Sequence, residues 1–145
     1  MIVGLRNPGQ PYSKTRHNAG CWFVEAVAGL DNLSFKNDRR IKGEVTTFTV
    51  GNDSCFLFLP ASFMNASGEC VRAVCNFYKI LPSEILVVHD DLDLLPGVVR
   101  LKTGGGHAGH NGLRDIITHL QSNAFHRLRL GVGHPGHRDL VVDYV

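Results

Sequence analysis

A histidine and an aspartate in distant parts of the chain have the side chains that activation of a water molecule requires. His17 lies at the predicted start of a helix, and Asp90 follows an apolar run. A helix N-terminus disfavours an imidazolium, whereas a neighbouring carboxylate favours it. The two influences together suit His17 to be a general base, with Asp90 as its supporting carboxylate. The alternatives are Asp90 as a helix cap or salt-bridge partner, with Asp91 or Asp93 in its place.

A tight turn provides another polar candidate. In the segment Asn7-Pro8-Gly9, proline fixes φ and glycine relaxes it, which predicts a turn directly after the first strand. The Asn7 amide then either bonds its own backbone or presents a donor and an acceptor to a ligand.

A glycine-rich segment, residues 104–112, holds five glycines in nine residues and ends at a predicted helix start, Asn111. Glycines let backbone N–H groups approach a ligand, and a helix N-terminus favours anions, so the segment is typical of phosphate or anion binding. A flexible turn is the alternative. The segment is not a Walker loop, because no Gly-Lys-Ser/Thr follows it.

Histidine pairs raise the question of a metal. His107 with His110, and His134 with His137, have spacings that could hold zinc, but a zinc site needs convergent ligands. The sequence has no HExxH motif and no Cys/His array, so we expect no metal and no other cofactor. No GxSxG elbow is present, so water is the expected nucleophile. The four cysteines form no CxxC pair and are expected to be buried free thiols.

Alternating strands and helices must position these residues. Apolar runs predict strands at residues 1–5, 45–50, 55–59, 85–88, 98–102 and 128–132. Apolar residues at helical spacing predict helices around 23–30, 71–78 and 113–120, the first of them capped by Asn18. This pattern predicts an α/β fold, a single-domain αβα sandwich with a mixed, mostly parallel twisted sheet.

The predicted fold indicates where a site lies. Ligands of open α/β sheets bind beyond the carboxyl ends of the strands. Asn7, Met64, Asn65, Asp90 and the loop at 104–106 each follow a predicted strand, so we expect them to converge.

Composition limits the class of protein. The 145 residues are 43% hydrophobic and 19% charged, which excludes a disordered or fibrous chain. No run of 18 apolar residues and no signal-peptide pattern occurs, so we expect a cytoplasmic protein. The net charge is only +2, yet residues 100–138 hold six Lys or Arg, one acid and six of the eight histidines. This basic stretch predicts an anionic partner such as nucleic acid.

Six blocks spread over nearly the whole chain carry a resemblance to one family. They are VGLRNPG at 3–9 with Tyr12, TRHNAG at 15–20, FMNASG at 63–68, VHDDLD at 88–93, GGGHAGHNGL at 104–113 and FHRLRLGVGHP at 125–135. In this order they resemble the bacterial-type peptidyl-tRNA hydrolases. The resemblance implies hydrolysis, without a metal, of the ester that joins a peptide to the 3′ end of tRNA, which recycles tRNA from aborted translation.

The resemblance also implies roles for single residues. His17 matches the family's catalytic base, Asp90 the carboxylate that holds it, and Asn7 the residue that distinguishes N-blocked aminoacyl groups from free ones. Substrate contacts are matched by Tyr12, Phe63, Asn65 and Asn111, with Met64 in the wall and His110 reaching the same cleft. Asn65 or Asn111 could donate to the oxyanion. Lys102 and Arg129 match a basic pair that grips the tRNA 5′ phosphate.

The resemblance extends to domain organisation. Family members continue for several tens of residues beyond the equivalent of Val145, with helices that help to cover the cleft. We therefore expect residues 1–145 to be a single peptidyl-tRNA hydrolase-like domain without that C-terminal helical segment. The expected protein is a monomer that acts on peptidyl-tRNA. A non-catalytic RNA-binding protein on the same fold is the alternative.

Overall fold

A seven-stranded mixed sheet organises the chain, and a computed structural model describes all residues 1–145. The strands are Ile2–Gly4 (β1), Lys36–Asp38 (β2), Gly43–Val50 (β3), Asp53–Pro60 (β4), Leu86–Asp91 (β5), Val99–Thr103 (β6) and His126–Gly131 (β7). The helices are Ala19–Leu30 (α1), Ser67–Tyr78 (α2), Asn111–Leu120 (α3) and Val141–Tyr144 (α4). The strand order is β2-β3-β4-β1-β5-β7-β6, which confirms the predicted α/β fold.

The parallel strands lie in the centre of the sheet. β1 pairs in parallel with β4 and β5, and β5 pairs in parallel with β7, whereas β3 and β6 run in the opposite direction. The central strands are continuous apolar runs because helices cover both of their faces. All six predicted strands and three predicted helices are present. β2 and α4 were not predicted, because they have only three and four residues and no clear periodicity.

Helices cover the two faces of the sheet separately. α1 packs on β1 and β5, while α2 and α3 pack together on the other face over Val3, Phe58 and Val87. A Cβ on Gly20 would lie 2.2 Å from the carbonyl oxygen of Val88, so only glycine lets α1 approach β5 this closely. This contact brings the start of α1 to the carboxyl end of β5. None of the four helices has the length and apolar character that a membrane span needs.

The cysteines are free thiols, as predicted. Cys21, Cys70 and Cys75 are buried, but Cys55 is only partly buried because the start of β4 extends beyond its pairing with β1. Burial raises the pKa of the Cys21 thiol to about 12 and that of Cys75 to about 11. Neither thiol is therefore a nucleophile near neutral pH.

The glycine-rich segment begins at the opposite edge of the sheet from the one that we predicted. β6 is antiparallel to β7, and Thr103 lies opposite His126 at the start of β7. The segment therefore crosses the sheet face before it reaches the carboxyl end of β5. The guanidinium of Arg127 holds it there by donating hydrogen bonds to the carbonyl oxygens of Gly105 and Gly106. The prediction was wrong because an apolar run does not specify the direction of its strand.

Candidate active site

A single large cleft collects the predicted site residues. It has a volume of about 910 Å³ and opens at the carboxyl ends of β1 and β5, beside the start of α3. Its lining includes all eleven of them: Asn7, Tyr12, His17, Phe63, Met64, Asn65, Asp90, Lys102, His110, Asn111 and Arg129. The fold thus brings into one place residues that are more than 120 positions apart in the sequence.

His17 and Asp90 form a direct pair in this cleft. The Nδ1 atom of His17 lies 2.8 and 2.9 Å from the two carboxylate oxygens of Asp90. A carboxylate only accepts hydrogen bonds, so Nδ1 carries the proton and a neutral His17 ring has its lone pair on Nε2. The backbone N–H of His17 donates to the carbonyl oxygen of Val145, which fixes the loop that holds the ring. The pair can therefore accept a proton at Nε2.

A second histidine donates to the same carboxylate. His110 Nε2 lies 2.8 Å from Asp90 Oδ1, while His110 Nδ1 accepts from the backbone N–H of Leu113 in the first turn of α3. Burial by itself would raise the pKa of the Asp90 carboxyl, which is only 3% exposed. The hydrogen bonds from His110 and His17 outweigh burial and hold that pKa well below its usual range. Asp90 therefore remains a carboxylate.

A third histidine, His89, bonds the backbone of Asp90 and was not among the residues predicted for the site. His89 donates from Nδ1 to the backbone carbonyl of Asp90 at 2.7 Å, and its ring lies edge-on to His110 with centroids 5.1 Å apart. Burial lowers the pKa of His89 to about 4, so the ring is neutral near pH 7. Its Nε2 atom is buried without a hydrogen-bond partner. The sequence signal was its place next to Asp90 in an apolar strand.

The three acidic candidates have different partners. Asp90 binds the histidines, whereas Asp91 accepts hydrogen bonds from Arg129 Nε at 2.7 Å and from the backbone N–H of Asp93 at 2.9 Å. Side chains alternate across a strand, so neighbouring residues of β5 project to opposite faces. Asp93 is exposed and its carboxylate has no ion-pair partner. Of the three, only Asp90 therefore forms a hydrogen bond with His17.

Asn7 has fewer free hydrogen-bonding atoms in the cleft than we predicted. Its Oδ1 atom accepts from the backbone N–H of Met64 at 2.7 Å, which leaves only the Nδ2 donors free. Asn18 does not cap α1 with its side chain, contrary to the prediction. Its amide instead bonds the backbone N–H and carbonyl of Asn7, at 2.8 and 2.9 Å. The cap prediction was wrong because this tertiary contact uses both ends of the Asn18 amide.

The remaining predicted contacts form the rim and wall. Tyr12 and Phe63 make an edge-to-face pair with ring centroids 5.8 Å apart, and both rings are partly exposed. Met64 is buried in the wall. Asn65, in the turn before α2, and Asn111, the first residue of α3, are exposed, with side chains free of hydrogen bonds within the protein. Their amides can therefore donate to a ligand.

Basic side chains line the cleft on the side of β6 and β7. Lys102 on β6 and Arg129 on β7 both line it, and Lys102 is exposed and has no ion-pair partner. Arg127 was missed in the sequence; it is fully buried, holds the glycine-rich segment and lies over the Phe125 ring. Lys102 and Arg129 line the same cleft, and cationic side chains of this kind can bind a phosphate.

His17, Asp90 and His110 also have the spacing of a metal site, since their ligand atoms lie within 4.8 Å of one another. Coordination by His110 Nε2 would move its proton to Nδ1, where it would face the Leu113 N–H. The local donors thus favour a hydrogen-bonded cluster. The two histidine pairs of the sequence, His107 with His110 and His134 with His137, form no comparable cluster of three ligands. The Nδ1 atom of His107 accepts from the backbone N–H of Gly109, and that of His134 accepts from the backbone N–H of Gly136.

Comparisons with known proteins agree with this geometry. The sequence model of the peptidyl-tRNA hydrolase family matches residues 1–145. Peptidyl-tRNA hydrolase of Legionella pneumophila (strain Corby) is 58% identical over 145 residues, which are 100% of this chain and 77% of the relative. That of Vibrio cholerae is 51% identical over 146 residues, 100% of this chain and 74% of the relative.

Solved structures show the same relationship. A crystal structure of peptidyl-tRNA hydrolase from Acinetobacter baumannii superposes with a TM-score of 0.95 at 51% sequence identity, covering 99% of this chain and 73% of that one. This chain thus spans about three quarters of the length of its relatives. With the family's sequence model matched over its whole length and relatives identical at more than half of their aligned positions, the chain belongs to the peptidyl-tRNA hydrolase family.

Proposed function

We propose that this chain hydrolyses the ester bond between a peptide and the 3′-terminal ribose of tRNA, with His17 as the general base. One observation carries the proposal: Asp90 accepts a hydrogen bond from the Nδ1–H of His17, which leaves the Nε2 lone pair available in the cleft. Family membership supports the substrate. A positioned general base contributes roughly 10²–10⁴-fold to the rate.

The proton moves in two steps. Nε2 of His17 takes a proton from water as the water oxygen attacks the ester carbonyl carbon, and Asp90 stabilises the resulting imidazolium. The imidazolium then returns the proton to the ribose oxygen as the ester C–O bond breaks. The products are the free peptide and tRNA with a free hydroxyl group. A side-chain amide that donates to the oxyanion, from Asn65 or Asn111, adds roughly 3–4 kcal/mol.

The free Nδ2–H donors of Asn7 are suited to distinguishing N-blocked from free aminoacyl groups. Since Met64 occupies the acceptor of the Asn7 amide, the remaining Nδ2–H groups fit a carbonyl oxygen such as that of the substrate's peptide bond. A free aminoacyl group offers an ammonium at that position, which has only donors. Free aminoacyl-tRNA would therefore leave the Nδ2–H groups of Asn7 without an acceptor, and we expect it to be cleaved slowly.

Binding of tRNA involves the basic end of the cleft. We assign Lys102 and Arg129 to the 5′ phosphate, since both line the cleft on one side of the β6–β7 pair. Contacts of this kind make affinity fall with salt concentration. A tRNA substrate released from translation implies action in the cytoplasm.

The test is release of the acyl group from an N-blocked aminoacyl-tRNA. We expect hydrolysis by the wild-type chain and a loss of at least about 100-fold in kcat for His17→Ala. His107→Ala is the matched control, because His107 also lines the cleft but bonds only a neighbouring backbone N–H. Wild-type turnover by His17→Ala would refute the mechanism. Binding of tRNA without hydrolysis would favour the RNA-binding alternative, and loss of activity with chelator that zinc restores would favour a metal mechanism.

A further inference from the structure

We infer that Asp91 is a positioning residue for phosphate binding. Its carboxylate binds the Nε–H of Arg129 and so orients the guanidinium, while the two terminal nitrogens of Arg129 remain free to bind the substrate. The inference rests on the proposed function, in which Arg129 contacts a tRNA phosphate. It adds a residue with an acidic side chain to a site that binds an anion.

Asp91 is itself held in place. It is 8% exposed at the end of β5, beside Gly131 of β7. Its Oδ1 atom accepts from the backbone N–H of Asp93 at 2.9 Å, and its backbone carbonyl accepts from Val132 at 3.1 Å. Its Oδ2 atom is therefore a fixed acceptor for the Nε–H of Arg129, at 2.7 Å.

The contact leaves the useful part of Arg129 free. Only Nε of Arg129 donates a hydrogen bond within the protein, so both terminal nitrogens are unpaired at the edge of the cleft. A guanidinium matches a phosphate through two parallel N–H donors. A side chain that is already ordered also loses less conformational entropy when it binds. Lys102 has no such anchor, since it forms no ion pair.

Asp91 has two opposing effects on phosphate binding, so a measurement of affinity can test the inference. As a negative charge close to the phosphate, Asp91 repels the ligand, and its removal would tighten binding. As the anchor of Arg129, it prepares two charge-assisted hydrogen bonds, and its removal would weaken binding. We expect the second effect to dominate, because the 2.7 Å contact orients the guanidinium directly, whereas the negative charge of Asp91 is already balanced by that same guanidinium.

The experiment compares Asp91→Asn with wild type for binding to deacylated tRNA that carries a 5′ phosphate. Asparagine keeps the shape and an acceptor for the Asp93 N–H. We expect Kd to rise about fivefold, and the slope of log K against log salt to shrink by about 0.7. The ratio of kcat/KM for full-length over minimal substrate should fall in parallel. Asp93→Asn, which removes the same charge from an exposed site, should bind with unchanged or smaller Kd.

Two further variants test the route through Arg129. In the Arg129→Ala background, Asp91→Asn should cause no additional loss. Arg129→Lys keeps the charge but directs its ammonium to Asp91, so it should bind as weakly as Arg129→Ala.

Tighter or unchanged binding by Asp91→Asn would overturn the inference, as would unchanged binding by Arg129→Ala. Neither result would affect the proposed reaction, which is judged separately by hydrolysis of the minimal N-blocked substrate by the wild-type chain.

Discussion

Asp90→Asn reverses the polarity of one atom at the centre of the site. In the wild-type cluster, Oδ1 accepts from both His17 and His110, and Oδ2 accepts from His17 at 2.9 Å. An asparagine that keeps its oxygen at Oδ1 still accepts from both rings there, but it places an NH₂ group at the second position, 2.9 Å from the Nδ1–H of His17, and it has no charge to stabilise an imidazolium. The contact with the NH₂ group favours the tautomer of His17 that has its proton on Nε2, and this tautomer cannot accept a proton from water.

The expected loss in rate follows from that tautomer change. A general base contributes roughly 10²–10⁴-fold, and the same carboxylate-to-amide change beside the catalytic histidine of serine proteases costs roughly 10⁴-fold. We therefore expect Asp90→Asn to lower kcat by about 10³-fold, with little change in tRNA binding because the variant leaves Lys102 and Arg129 in place. Single-turnover release of the acyl group from N-blocked aminoacyl-tRNA measures the first quantity, and tRNA titration measures the second.

Asp93→Asn is the matched control for this prediction. It makes the same chemical change in a residue that lines the same cleft and bonds no histidine. We expect it to keep kcat within about threefold of wild type. If Asp90→Asn also kept kcat within that range, the carboxylate would have no part in activating His17.

The remaining predictions concern stability and tRNA binding. Because the pKa of His89 is lowered from 6.5 to about 4, the folded state loses about 3 kcal/mol as pH falls through that interval, and His89→Gln should flatten this decline in urea unfolding. The stabilisation from Asp90 is lost only at still lower pH. Gly20→Ala should destabilise by at least about 2 kcal/mol in thermal unfolding, whereas Gly29→Ala, where a Cβ meets nothing, should gain about 0.5 kcal/mol. Lys102→Ala should raise KM for full-length tRNA substrates much more than for minimal ones, and equal effects would contradict a phosphate contact.

Local sequence patterns predicted most of the secondary structure, and together with the family resemblance they selected the residues that line the cleft. The apolar run before Asp90 forms β5, and the stripe from Leu113 to Leu120 forms α3, because burying one face of each element satisfies its periodicity. The start of α3 at Asn111 was also predicted correctly. All residues selected for the site line one cleft, and Asn7, Asn65 and Asp90 meet there because the carboxyl ends of the parallel strands β1, β4 and β5 lie at one edge of the sheet.

Tertiary structure decided the direction of β6 and the partners of each polar group. The antiparallel course of β6, the use of Asn18 by the Asn7 turn, and the choice of Asp90 over Asp91 all depend on contacts between distant segments. From local sequence alone, Asn18 could equally be the cap of α1, and Asp91 could equally be the partner of His17. The physical reason is that an apolar pattern specifies which side of an element is buried, whereas a hydrogen bond depends on which donor and acceptor the packed fold brings within about 3 Å of each other.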